Sequence, residues 1–374
     1  MKTWAVLALA LWAVAWTSTG VASDVLPPTF DVNAVAQEAQ AMTRTGRVPA
    51  MGLAIVHRGQ PRLVRAWGVT RHEGGQPVDS HTVFRLASVS KGFTSAAAGL
   101  AIEDGTLRWD SPATQWAPHA RLGTEEATSK LTLASILSQQ TGLEPYNYGD
   151  RSLQNGTDKE TLDAMVANAR MKCLPARCYS YQNVTYQWAA DMLSAATGTP
   201  FETFVEQRLF KPLGMNDASF GLDGLRGSRS WAEPHVGTKT VTPQPTYYLL
   251  PAAAGVNAST ADLVHWLAAQ TGHRPNVLSP QLLEIVHTPR VSVPLFTSGW
   301  RKERVTRHWY GLGWRVWEYR GARVIMHAGA VQGYRSLVAL VPSKDFAVAL
   351  VWNSQSADPA KLLPKILDGV LDPK

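Results

Sequence analysis

Apolar runs of strand length stand at both ends of this chain and helix-patterned sequence fills its middle, an arrangement that few folds accommodate. Near the start, residues 51–56 and 63–68 flank the turn signal Gly59-Gln60-Pro61 and read as a hairpin. Near the end, residues 323–327, 336–341 and 346–352 are three further strand-like runs, the last two joined by Pro342-Ser343-Lys344-Asp345. The connections are too short for helical crossovers, so the expected sheet is antiparallel and assembled from both termini. Between these ends, residues 96–104, 133–139 and 187–197 read as helices that stop at Gly105, Gly142 and Gly198, and 201–209 and 261–269 are also helical. Residues 30–43 and 359–371 add a helix at either end. The expected class is α/β, of the α+β type: an antiparallel sheet flanked by helices, plus an inserted, mainly helical lobe. With 374 residues and 45% hydrophobic content the chain can bury a large core. The expected layout is a single domain over 24–374, with an α/β lobe from about 24–87 and 305–374 and a helical lobe from about 88–304.

Residues 1–23 have the three parts of a secretory signal peptide: Met1-Lys2-Thr3, an apolar run from Trp4 to Trp16, and small residues around Val21-Ala22-Ser23. The apolar run falls short of the roughly 18 residues that span a bilayer. Cleavage near Ser23, a secreted or periplasmic location and no membrane span in the mature chain are therefore expected. The mature protein is mildly basic, with Lys and Arg scattered rather than blocked, which argues against a nucleic-acid partner. The two cysteines, Cys173 and Cys178, bracket Pro175. In an oxidising compartment a disulfide is favoured over two buried thiols. No His or Cys pairs stand nearby at ligand spacing, so no metal is expected.

Three short patterns carry chemistry. Ser88-Val89-Ser90-Lys91 leads into an Ala-rich helical run. With Ser88 in the first turn, Lys91 lies one turn further along the same face, its amine within reach of the Ser88 hydroxyl. Such a lysine acts as a base only when burial or neighbouring positive charge lowers its pKa. Tyr181-Gln182-Asn183 offers a phenol that can exchange protons with an ammonium, and an amide that can bond a substrate or the lysine. His327-Ala328-Gly329-Ala330 follows a strand run, and its small residues let a substrate lie against the strand edge, where a backbone N–H can stabilise an oxyanion. Each pattern alone is weak: a capping serine, aromatic packing or any of several His-x-Gly triplets accounts for one of them.

Together, in this order and spacing, the three resemble the S-x-x-K, Y-x-N and K/H-x-G set of the penicillin-recognising serine hydrolases, especially the class C β-lactamase and DD-peptidase branch. Supporting words run through the chain, among them Leu137-Ser138-Gln139-Gln140-Thr141-Gly142, Phe210-Lys211-Pro212-Leu213-Gly214 and Tyr310-Gly311-Leu312-Gly313-Trp314. The resemblance implies a β-lactamase/transpeptidase-like fold and an acyl-enzyme on Ser88, with Lys91 and Tyr181 as proton carriers. It further implies substrate binding by Asn183, His327, Gly329 and Ala330, an oxyanion hole of the Ser88 and Ala330 N–H groups, and no cofactor. The implied partner is a β-lactam, a peptidoglycan-like D-amino-acid peptide or an ester; a carboxylesterase with the same residues is the alternative, and a non-catalytic envelope-binding relative a remote one. The chain departs from the family in having His327 where many class C β-lactamases have lysine, Gln140 where histidine is frequent, and Ala176 where glycine is frequent. Arg315 and Arg335 are candidate carboxylate partners.

Overall fold

The computed structural model describes residues 26–27, 30–144 and 146–371, so the leader lies outside the described residues. Its main sheet has eight strands, β1 (Ala50–His57), β2 (Gln60–Gly68), β3 (Val291–Ser292), β4 (Val305–Tyr310), β5 (Arg315–Tyr319), β6 (Ala322–Val331), β7 (Tyr334–Val341) and β8 (Phe346–Trp352), in the order β2-β1-β8-β7-β6-β5-β4-β3. Every neighbouring pair is antiparallel. The hairpin near the start is confirmed, with a tighter turn than expected. Arg58 and Gly59 both take positive φ and form a two-residue loop, so Gln60 and Pro61 belong to β2.

Alternation along the central strands builds two cores. Met51, Leu53 and Ile55 of β1, with Leu337, Ala339, Val348 and Leu350, pack beneath the terminal helices α1 (Val32–Thr43) and α5 (Leu362–Leu371). Ala50, Ala54 and Val56, with Val338, Leu340, Ala347 and Ala349, face the helices of the middle of the chain. Central strands buried on both faces read as continuous apolar runs, which is why they were legible. Among the inner helices, α2 (Ser90–Glu103) is buried over most of its length, and its Phe93 stacks on Trp266 of α4 (Thr260–Gln270) with ring centroids 3.8 Å apart. A Cβ on Gly52 would fall on Thr260, so glycine is what lets α4 lie directly on β1. Helix α3 (Val184–Thr197) begins immediately after Asn183 and ends at Gly198, which takes the left-handed conformation.

The stretch assigned to the helical lobe also contributes strands: β3 extends the main sheet, and Val256–Ser259 pairs with Val83–Arg85 and Ser219–Phe220 in a small separate sheet. The helix expected over 201–209 is an α-turn, Phe201–Val205, continued by a π-helical turn, Glu206–Phe210. Cys173 and Cys178 are joined by a disulfide. Ala176 inside that loop has φ +63°, a conformation that glycine adopts without strain, which gives a physical reason for the preference noted at this position.

Candidate active site

Ser88 lies in a short 3-10 turn, Ala87–Val89, that feeds directly into α2. Ala87 has φ +48°, and Ser90 Oγ donates to the Ala87 carbonyl at 2.6 Å while accepting from the Val256 N–H at 3.0 Å. These bonds hold the bend that brings Ser88 to the surface of an otherwise buried segment. One turn on, Lys91 is fully buried. Its Nζ donates to Asn183 Oδ1 at 2.7 Å, to the Ala253 carbonyl at 3.0 Å and to Ser88 Oγ at 3.4 Å. The ammonium also faces the rings of Tyr181 and Tyr186, 4.8 and 5.2 Å from their centroids.

Among the described residues no carboxylate hydrogen-bonds or ion-pairs with this amine. Burial lowers its pKa from 10.5 to about 7, opposed by the pull of Asp150 and aided to a lesser extent by the push of Arg315. Tyr181 is 5% exposed, and burial raises its phenol well above the ordinary value even though a hydrogen bond with Ser88 works the other way. The phenol is thus a neutral proton donor in the resting site, and the amine is the group poised to accept.

Asn183 is committed to the protein on both sides of its amide. Oδ1 accepts from Lys91, and Nδ2 donates to Asp150 Oδ2 at 2.8 Å and to Asn147 Oδ1 at 3.3 Å. Asp150 also accepts from the Tyr247 hydroxyl at 3.1 Å, and burial raises its pKa. Asp150, Asn147, Ala253 and Tyr186 were not singled out from the sequence, and no local pattern around them signals a role; Tyr310 opens one of the supporting words, which does not encode its bond to His327.

The third pattern lies on β6. Alternation places His327 and Gly329 on the buried face and leaves Ala328 and Ala330 exposed. His327 is 1% exposed; its Nδ1–H donates to the Ala328 carbonyl at 2.9 Å, so Nε2 accepts from the Tyr310 hydroxyl at 3.0 Å. Burial, then Arg315 and Lys91, push the imidazole well below its ordinary value. Of the candidate substrate-binding side chains, His327 is thus neutral and turned inward. A Cβ on Gly329 would fall on the Leu86 carbonyl oxygen and Ser336 Oγ and lie 3.1 Å from the Ser88 nitrogen, so β6 passes directly against the nucleophile's backbone. Strand β5 pairs with β6 only as far as Met326, and among the described residues no strand pairs beyond it on that side. The edge of 327–331 is open beside Ser88.

The distant patterns thus meet in one place: Lys91 touches Ser88, Tyr181 and Asn183, Tyr181 bonds Ser88, and β6 closes the other wall. A half-exposed serine, a buried amine and a neutral phenol on a helix-flanked antiparallel sheet define a serine hydrolase. The chain belongs to the Beta-lactamase family, whose model matches residues 33–371. It is 22% identical over 388 residues to the D-alanyl-D-alanine-carboxypeptidase/endopeptidase AmpH of Escherichia coli K12, covering all of this chain and 96% of that one. It is 24% identical over 323 residues to an unguisins hydrolase of Aspergillus campestris; the match takes in 82% of this chain and 59% of the relative's length. The fold is also that of the octameric penicillin-binding protein homologue from Pyrococcus abyssi, with a TM-score of 0.79 at 21% identity, covering 91% of this chain and 77% of that one. No helix among the described residues is long and apolar enough to cross a membrane, and among them no cluster of potential ligands could hold a metal ion.

Proposed function

We propose that the protein is an exported hydrolase of D-amino-acid peptides that works through an acyl-enzyme on Ser88. The observation that carries this reading is the 3.4 Å approach of a buried, half-neutral Lys91 amine to Ser88 Oγ, with the Tyr181 phenol on the same oxygen. Neutral Lys91 takes the Ser88 proton as Oγ attacks the substrate carbonyl. Negative charge on the tetrahedral oxygen falls between the N–H groups of Ser88 and Ala330. Tyr181 gives its proton to the departing nitrogen and regains one from the Lys91 ammonium. Water then attacks the ester by the same path in reverse. Asn183 is a positioning residue that holds Lys91, and His327 with Tyr310 fixes the wall behind Tyr181.

Two features favour a peptide over a β-lactam as the substrate. The open edge of β6 can pair with an extended backbone, and the inward, neutral His327 offers no fixed charge to a lactam carboxylate. The relative named as a carboxypeptidase/endopeptidase, matched along the whole chain, agrees with this choice. The leader-like first residues and the disulfide support export. The test compares an acyl-D-Ala-D-Ala peptide, a chromogenic cephalosporin and a short-chain nitrophenyl ester on wild type and Ser88→Ala. Turnover of the peptide above the other two, lost in the variant, is expected. Ester turnover without peptide turnover would identify a carboxylesterase instead.

A further inference from the structure

On one side of the reacting cluster, the β6 edge at Ala328 opens into a cavity of about 1120 Å³. Its lining includes the aromatic rings of Tyr179, Phe296 and Trp317 and five cations, Lys172, Arg177, Arg290, Arg301 and Arg315. None of these five cations forms an ion pair with a carboxylate among the described residues. The single acid in the lining, Glu144, faces Arg170 at 3.9 Å, and Arg170 lies outside the lining. His308 on the wall lies 3.4 Å from Arg315 Nη1; burial, then Arg315 and Arg301, push it down to about 3, so it adds no compensating charge. Arg315 is the innermost cation, its guanidinium 5.4 Å from the Tyr181 ring centroid. Arg177 lies within the disulfide loop and Lys172 immediately before it, and both line the cavity.

The position of Tyr181 tells which part of a substrate enters. The group that protonates the leaving nitrogen must stand on the leaving-group side, and Tyr179 and Ser180 beside it line this cavity. The opposite end of the open edge, at Ala330, meets a different, smaller cavity of about 540 Å³. We propose that the larger cavity is the leaving-group subsite and that it selects leaving segments carrying two or more carboxylates, such as acidic D-dipeptides, with Arg290 and Arg301 as specificity-determining residues. One terminal carboxylate engages only the innermost arginine, and the volume and the outer four cations are suited to a longer, more acidic segment. Uncompensated cations in a partly enclosed cleft focus potential on an anion that enters it. This inference rests on the acyl-transfer reading above for the orientation of the substrate, yet its binding step can be measured without turnover.

The experiment is calorimetric titration of full-length Ser88→Ala with D-Glu-D-Glu and with D-Ala-D-Ala, in low and in high salt. The diacidic product is expected to bind roughly tenfold tighter at low salt, from two added pairings of partly exposed charges, and the advantage should shrink as salt is raised. The double variant Arg290→Ala, Arg301→Ala should bring the ratio to within about twofold, while Arg290→Lys, Arg301→Lys should retain most of it. Equal affinities, absence of binding by both peptides, or a preference untouched by the double alanine variant would each overturn the proposal. Labelling of wild-type Ser88 by a fluorescent penicillin is scored separately; its failure would count against the acyl-enzyme, and a lost diacid preference against the subsite.

Discussion

Replacing Asp150 with asparagine should move the pH profile of acylation toward acid. The reasoning begins with Lys91, whose amine works as a base only when neutral, so kcat/KM rises with pH through its pKa. At the ordinary value of 10.5, about one lysine in 3000 would be neutral at pH 7; at about 7, half are. The fold thus raises the population of competent base roughly 1500-fold, equivalent to about 4–5 kcal/mol. Burial does most of this, and Asp150 is the group that opposes it. Asp150→Asn keeps an oxygen for Asn183 Nδ2 and Tyr247 while removing the charge, so the midpoint should fall below that of wild type and relative activity at pH 6 should rise. Arg315→Met removes a cation that helps hold the amine neutral, and its midpoint should rise. The assay is stopped-flow acylation by a fluorescent penicillin from pH 5 to about 10.5. A wild-type profile that rises only above pH 9, or an Asp150→Asn midpoint that moves upward, would refute the reasoning.

The same buried amine opposes folding. Between pH 7 and 10.5 the unfolded chain holds a proton on Lys91 that the folded chain has released, so this group's contribution to stability improves as pH rises across that window. Lys91→Met should therefore stabilise the protein at pH 6 by up to about 4 kcal/mol, with the gain disappearing by pH 10.5, as measured by urea unfolding at several pH values. Tyr181→Phe should leave the melting temperature nearly unchanged and slow acylation about 10²–10⁴-fold, the usual worth of a positioned proton donor; a loss under tenfold in burst kinetics would assign the proton to another group. Gly329→Ala should destabilise by about 1–3 kcal/mol through overpacking against Leu86 and Ser336. It should also lower kcat more than it raises KM, because the backbone of Ser88 is displaced.

Much of this site was legible because its chemistry is local in sequence. Ser88 and Lys91 share a helical turn, Tyr181 and Asn183 lie two residues apart, and His327 to Ala330 follow one strand. The central strands were equally legible, since burial on both faces leaves little but apolar residues in β1, β7 and β8. Strands β4 and β5 were missed. They mix Arg, His, Glu and Trp on half-exposed faces, and their place in the sheet is set by pairing with β6 rather than by pattern. Asp150, Asn147 and Tyr310 act through contacts with residues at least 17 positions away, which no short motif encodes. The inward turn of His327 was likewise invisible, because it depends on which face of β6 meets Tyr310 and Tyr181.

The central claim is a covalent bond between substrate and one serine. Intact and peptide-resolved mass spectrometry after brief exposure to a penicillin should show one added acyl group, carried by the peptide containing Ser88 and absent from Ser88→Ala. An adduct on any other residue, or one that persists in the alanine variant, would contradict the account.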